Sequence, residues 1–266
     1  EENWVFEAIT DTYIPLLFVL DGLVEDGIDF RLTLSITPTL ASMLADPFLQ
    51  SRYLNRLERL IELGKKEIKR TRYNHEFNIL ALMYHRHLLQ VYRAFLNRYD
   101  LNLVQAFKRL QELGKVQIIA SAATHGYLPL LSVNTSAVRS QIRVGIKNYQ
   151  QIFDQNPKGF WLPECGYYPG VDEFLRQEGI RHTILETHGI TRAESRPKYG
   201  VYAPIYCPSG VAAFGRDPES SKQVWSSTEG YPGDYDYREF YRDIAYDLDL
   251  DYIKPYIHRD GIRVDT

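Results

Sequence analysis

The sequence predicts an α/β fold with a mainly parallel sheet. Two patterns alternate along the chain: short apolar runs typical of buried strands, and longer segments in which apolar residues recur every three or four positions, as on one face of a helix. Strands that alternate with helices in this way favour parallel pairing through crossover helices. His125 and Glu164 come just after two of the strands, where sheets of this class place their functional groups.

The first part of the chain is predicted to contain one strand between helices. Residues 3–24 have the apolar spacing of an amphipathic helix, with a kink at Pro15. Residues 28–36 alternate apolar and polar side chains and therefore predict a strand. Thr37 and Pro38 then have the residue types of a helix start.

Residues 48–113 predict a helical insertion of about three helices. Breaks are expected near Arg72–Asn74 and near Asp100, and Gly64 and Gly114 are interpreted as helix-end glycines. The next elements are predicted as a strand at 116–121, a helix at 135–153, a strand at 160–162, a helix at 171–179 and a strand at 180–187.

Glu164 is the strongest candidate for chemistry. It follows the apolar run 160–162 and precedes a turn rich in glycine and tyrosine. Cys165, Tyr167 and Tyr168 are expected to surround the carboxylate and partly desolvate it, a setting that suits a hydroxyl-rich ring as the ligand. The alternative is a strand-end glutamate held by an arginine.

His125 follows the strand at 116–121 in the same way and stands beside Gly126, which lets the backbone come close to a ligand. Because the carboxyl ends of parallel strands meet at one edge of a sheet, the His125 ring is expected within about 10 Å of the Glu164 carboxylate. The alternative is a loop histidine with a purely structural role.

Beyond Tyr199 the sequence predicts short strands and then a helix capped by Asp217 with Pro218 in its first position. Residues 229–243 combine glycines, a proline and acids with five aromatic residues, which predicts a binding loop that leads into a short helix. A loop packed on its own tyrosines is the alternative. The residues in this region with side chains suited to a sugar are Arg216, Asp217, Trp225, Tyr231, Asp234, Arg238 and Arg242.

Composition narrows the class of function. The 266 residues are 44% hydrophobic with a net charge of -3, and their charges are dispersed, so no basic stripe indicates nucleic acid as a partner. Two cysteines without C-x-x-C spacing predict neither a disulfide framework nor a zinc site. No apolar run is long enough for a membrane span, and a cytoplasmic location is the default expectation. The 13% aromatic content suits a carbohydrate-binding cleft.

Four segments together resemble glycoside hydrolase family 57, in particular its 1,4-α-glucan branching enzymes. They are A-A-T-H-G-Y-L-P-L-L (122–131), W-L-P-E-C-G-Y-Y-P-G (161–170), F-G-R-D-P-E-S-S-K-Q-V-W-S (214–226) and E-G-Y-P-G-D-Y-D-Y-R-E-F-Y-R-D-I (229–244). The resemblance implies an incomplete seven-stranded (β/α) barrel that acts on α-1,4-glucan, with Glu164 as the nucleophile of a retaining double displacement. It implies that His125, Trp225 and Arg242 lie around the sugar, and we add Trp161, Tyr231 and Arg216 as candidate substrate-binding residues.

The chain also departs from the family pattern. Members begin with a strand that carries a His-x-His-Leu-Pro motif, and their acid/base aspartate belongs to a motif expected beyond Thr266. The sequence is therefore expected to be a fragment of one catalytic barrel domain (1–266), with the helical insertion at about 48–113, and to be inactive and poorly stable alone. The reaction requires no metal or organic cofactor. The sequence leaves the oligomeric state open.

Three functions remain as alternatives. The first is the branching enzyme, which transfers a cleaved glucan chain to a 6-hydroxyl and so makes α-1,6 branches. An α-amylase or 4-α-glucanotransferase of the same family is the second. A glucan-binding protein without catalysis is the third, because a second catalytic carboxylate is not assigned within the chain.

Overall fold

The computed structural model describes residues 2–237 and 244–256. The chain divides into two compact units, which we call the helical unit (1–28, 43–106 and 235–266) and the sheet unit (29–42 and 107–234). A single domain spanning 1–266 stays a prediction.

The secondary structure alternates as the sequence predicted. The helices are α1 (Glu2–Ala8), α2 (Ile14–Glu25), α3 (Pro38–Ala45), α4 (Pro47–Arg70), α5 (His75–Arg93), α6 (Leu103–Glu112), α7 (Leu128–Leu131), α8 (Thr135–Phe153), α9 (Val171–Gln177), α10 (Thr187–Thr191), α11 (Pro218–Trp225), α12 (Ile244–Asp247) and α13 (Leu250–Ile253). The strands are β1 (Leu32–Ser35), β2 (Val116–Ser121), β3 (Gly159–Trp161), β4 (His182–Leu185), β5 (Ile205–Tyr206) and β6 (Ala212–Gly215).

Helix boundaries in the helical unit follow local chemistry. Helix α4 ends at Arg70 and α5 begins at His75, where the Asn74 side chain accepts a hydrogen bond from the Phe77 amide at 3.2 Å. The predicted break near Arg72–Asn74 is therefore confirmed, and so is the break near Asp100, whose φ of 46° is left-handed.

Gly64 is not a helix end, so that prediction was wrong. It lies inside α4, where a Cβ atom would come within 3.2 Å of the His85 Cβ on α5. Its missing side chain lets two helices pack closely, a role that has no distinct sequence signal. Gly114, by contrast, does follow a helix end with a φ of +67°.

The sheet unit contains one six-stranded sheet in the order β1-β2-β3-β4-β6-β5. All neighbouring pairs are parallel except β5 with β6, which are antiparallel. The predicted mainly parallel α/β sheet is confirmed, whereas seven strands and closure into a barrel stay predictions.

The strands are shorter than predicted at two places. The segment predicted as a strand at 28–36 contributes only Leu32–Ser35, since sheet pairing begins where the Leu32 amide bonds to the Lys115 carbonyl. The strand predicted at 180–187 is limited to His182–Leu185, because Glu186 already caps α10.

Helix α8 packs closely on the sheet through Val138, Ile142 and Ile146, which are buried. The approach is very close at Gly145, where a Cβ atom would lie well under 3.0 Å from the Ser121 carbonyl oxygen at the end of β2. The absence of a side chain at Gly145 thus allows α8 to lie directly against the end of β2, after which His125 follows. None of the described helices is long and apolar enough to cross a membrane.

Candidate active site at the carboxyl ends of the strands

Polar side chains converge at the edge of the sheet where the parallel strands end, which we call the C-terminal edge. Strands β2, β3, β4 and β6 pair in parallel register, so the residues that follow them emerge on the same side. These residues are His125, Glu164, Glu186 and Arg216.

Glu164 lies in a tight turn with unusual backbone geometry. The Cys165 amide donates to the Leu162 carbonyl at 2.9 Å, and Glu164 and Cys165 have φ angles of 54° and 53°. Two successive non-glycine residues in the left-handed region cost on the order of 1 kcal/mol or more each, and such strain clusters at functional sites. The turn buries the Cys165 side chain and leaves that of Glu164 71% exposed.

The expected desolvation of Glu164 is therefore wrong for the described part of the chain. Tyr167 does not cover the carboxylate; its hydroxyl donates to Asp172 at 3.1 Å. Burial raises the pKa of Tyr167, and neighbouring Cys207 and Asp172 raise it further. The Tyr167 side chain thus stabilises the turn through Asp172 and does not cover the Glu164 carboxylate.

His125 reaches Glu164 directly. Its Nε2 atom lies 3.5 Å from Glu164 Oε1, so the expected proximity at one edge of the sheet is confirmed. The backbone at His125 is also left-handed, with a φ of 55°. Its Nδ1 atom is buried without a hydrogen-bond partner among the described residues, and Nε2 is the ring nitrogen that faces the carboxylate.

The loop that carries His125 is anchored to helix α8 by one residue. The Ala123 amide donates to the Gln141 carbonyl and the Thr124 amide to the Gln141 side chain, both at 3.0 Å. In return the Gln141 amide group donates to the Thr124 hydroxyl at 2.8 Å. The loop conformation is thus set by the helix, which accounts for a strained residue at its tip.

Arg216 is held by Glu186, a residue that the sequence reasoning missed. Its Nη1 atom lies 2.9 Å from Glu186 Oε2, and its guanidinium carbon lies 5.0 Å from the centre of the Trp225 ring. The available signal was a carboxylate immediately after the apolar run 184–185, the same pattern that pointed to Glu164. It was obscured because Glu186 fell inside the predicted strand.

The other predicted site residues occupy different settings. Trp161 ends β3 and its carbonyl accepts a hydrogen bond from Ser121 at 3.0 Å, while Trp225 ends α11 with 73% exposure. Tyr231 begins a short 3-10 turn and is half exposed. Asp217 caps α11 as predicted, accepting from the Ser220 amide at 3.0 Å. Asp234 follows the Tyr231 turn, and Arg238 and Arg242 lie outside the described residues.

Within the described ranges, no group of three His, Cys, Asp or Glu residues could hold a metal ion. Cys165 and Cys207 are both free thiols. The arrangement can offer a carboxylate nucleophile with an adjacent imidazole, and a guanidinium beside an exposed indole.

Sequence comparison identifies the family. The profile of Glycosyl hydrolase family 57 matches residues 1–266. The chain is 34% identical to the 1,4-alpha-glucan branching enzyme TK1436 of Thermococcus kodakarensis, over 91% of this chain and 39% of that protein. It therefore spans less than half the length of this relative.

Solved structures give the same result. The crystal structure of the alpha-amylase AmyC from Thermotoga maritima is 48% identical with a TM-score of 0.92, covering 100% of this chain and 50% of that one. The GH57-type branching enzyme from Pyrococcus horikoshii is 34% identical with a TM-score of 0.83, covering 91% and 47%. With a family profile that spans all 266 residues, this chain belongs to glycosyl hydrolase family 57.

Proposed function

We propose that this chain supplies the nucleophile and part of the sugar-binding surface of a 1,4-α-glucan branching enzyme. The single observation that carries the proposal is the pairing of Glu164 with His125, 3.5 Å apart, at the C-terminal edge of a family 57 sheet. The similarity to two branching enzymes supports the substrate class and the transfer reaction.

In the proposed mechanism Glu164 attacks the anomeric carbon of an α-1,4-linked glucosyl unit and forms a covalent glycosyl-enzyme. The exposed carboxylate is open to a polymer chain, and the Nε2 atom of His125, 3.5 Å from it, binds a hydroxyl of the same glucosyl unit. A retaining reaction also requires a carboxylic acid about 5 to 5.5 Å from the nucleophile, which protonates the departing oxygen. That role is not assigned to a residue of this chain.

The intermediate has two fates, which separate branching from hydrolysis. Attack by the 6-hydroxyl of another glucan chain makes an α-1,6 branch, whereas attack by water releases a reducing end. Hydrolysis is the second candidate function, favoured by the 48% identity to an alpha-amylase and by the open setting of Glu164.

Product analysis on amylose tests the proposal. The full-length protein is expected to form α-1,6 linkages, detected as chains released by a debranching enzyme, with few new reducing ends. New reducing ends without branches would assign hydrolysis instead. Binding of amylose with neither product would indicate a glucan-binding protein.

A further inference from the structure

The Glu186 side chain joins two structures at the C-terminal edge. Its Oε1 atom accepts a hydrogen bond from the Thr187 amide at 3.2 Å, which caps α10, and its Oε2 atom accepts from Arg216 Nη1 at 2.9 Å. A carboxylate that uses one oxygen for a helix end and the other for a guanidinium has little freedom to rotate. The direction of the Arg216 side chain is therefore determined by a fixed partner.

The backbone of Arg216 is fastened to the same strand end. The Arg216 amide donates to the Leu185 carbonyl at 3.0 Å, and the Thr187 hydroxyl donates to the Arg216 carbonyl at 2.8 Å. Main chain and side chain of Arg216 are thus both positioned by residues 185–187. This degree of constraint exceeds what an exposed ion pair alone provides.

The guanidinium interacts with two features of the site. Its carbon lies 5.0 Å from the ring centre of Trp225, whose indole is 73% exposed. Arg216 also interacts with Cys165, which is next to Glu164 in the strained turn: burial raises the pKa of this thiol, and the positive charge of Arg216 opposes that shift. A guanidinium carries five N–H donors in one plane, which can bind sugar hydroxyls, and the exposed indole beside it offers an apolar surface. Arg216 and Trp225 together therefore suit the binding of one sugar ring.

We propose that Glu186 is a positioning residue, which holds the Arg216 guanidinium against Trp225 so that the pair binds a glucosyl unit of the substrate. The inference rests on the proposed function, because it takes an α-glucan as the ligand. Glu186 acts through Arg216 and takes no part in bond making. Removing its charge leaves a partly buried guanidinium without its carboxylate, so Arg216 is free to leave the position beside Trp225 in which the pair binds the sugar.

Glu186→Gln tests the inference in the full-length protein. The amide keeps the size of the side chain and can still cap α10, but it lacks the negative charge. We expect KM for maltoheptaose to rise about 10- to 100-fold with kcat changed less than about 3-fold, because binding is lost rather than chemistry. A merely structural role would lower the active fraction, and hence kcat, with KM unchanged.

Two further variants complete the test. Glu186→Asp keeps the charge and should recover part of the loss. In an Arg216→Ala background, Glu186→Gln should change KM by less than about 2-fold, because residues that act as a unit are not additive. Equal effects of Glu186→Gln in both backgrounds would overturn the inference.

Glu178→Gln is the matched control. Glu178 pairs with Arg143 at 2.5 Å and follows α9 at the opposite end of β4. It undergoes the same chemical change and should leave KM unaltered. If Glu186→Gln behaves like Glu178→Gln in an active enzyme, the positioning role is wrong and the proposed function stands. A wild-type protein that neither converts nor binds maltoheptaose would remove both.

Discussion

Gly145→Ala should displace the His125 loop by changing the packing of α8 against the end of β2, without changing any residue of the candidate active site. Helix α8 approaches the end of β2 so closely here that a Cβ atom would lie well under 3.0 Å from the Ser121 carbonyl oxygen and 3.3 Å from the Ala123 amide nitrogen. These are backbone atoms of the segment that leads to His125, so they cannot rotate aside as a flexible side chain would. The helix and the loop must therefore separate.

The cost follows from two opposing effects. Overpacking against a fixed backbone costs about 3 kcal/mol at the upper end of its usual range, while alanine is about 1 kcal/mol better than glycine inside a helix. The net loss is about 2 kcal/mol, which lowers Tm by about 4 to 8 °C for a domain of this size. Because Gln141 anchors the Ala123–Thr124 backbone to the same helix, His125 should shift, and kcat/KM should fall about 10-fold or more.

Calorimetry and glucan turnover of the full-length protein measure both effects, with Gly22→Ala as the control. Gly22 also lies inside a helix, α2, but a Cβ atom there meets nothing within 4 Å. Gly22→Ala should therefore increase the free energy of unfolding by up to about 1 kcal/mol, raise Tm slightly, and leave turnover unaltered. The same sign of Tm change in both variants would show that α8 and the end of β2 are not in close contact at Gly145.

Two further perturbations follow from the same contacts. Gln141→Leu removes the side-chain anchor of the His125 loop. It should lower kcat/KM about 3- to 10-fold and reduce the free energy of unfolding by less than about 1 kcal/mol. The control Gln150→Leu breaks an exposed hydrogen bond from the same helix to Asn156 and should leave both kcat/KM and stability unchanged. Burial raises the pKa of Asp172, but hydrogen bonds from Ser209 and Tyr167 lower it by more, so the net pKa lies below its usual value. Its ionised form therefore contributes stability above about pH 4, and this is lost as the pH falls through the folded-state pKa. Asp172→Asn should cost about 1 to 3 kcal/mol at neutral pH and progressively less in acid, measured by urea unfolding; a loss independent of pH would contradict an ionised Asp172.

The fold was predictable because periodicity reports burial. Alternating strand and helix patterns led to the parallel sheet, and the position of His125 and Glu164 after two strands placed them at one edge, where they lie 3.5 Å apart. Cap chemistry was equally local: Asp217 was identified as a helix start from its residue type and the following proline.

Other features had no local signal. Glu164, Cys165 and His125 adopt left-handed backbone conformations although none is glycine, because tertiary contacts outweigh the intrinsic preference of each residue. Gly64 was misread because close helix packing and helix termination both use a glycine. Glu186 was missed because predicted strand boundaries are uncertain by a few residues, and one or two residues decide whether a carboxylate is inside a strand or at its functional end.

Azide rescue of Glu164→Gly in the full-length protein tests whether Glu164 is the nucleophile. Glycine adopts the φ of 54° at this position without strain, so the variant should fold, and the missing carboxylate leaves room for a small anion. We expect turnover below about 1% of wild type, partly restored by azide, with a β-linked glycosyl azide as the product because azide attacks the face that Glu164 would have used. Turnover above a few per cent without azide, or an α-linked azide product, would contradict it.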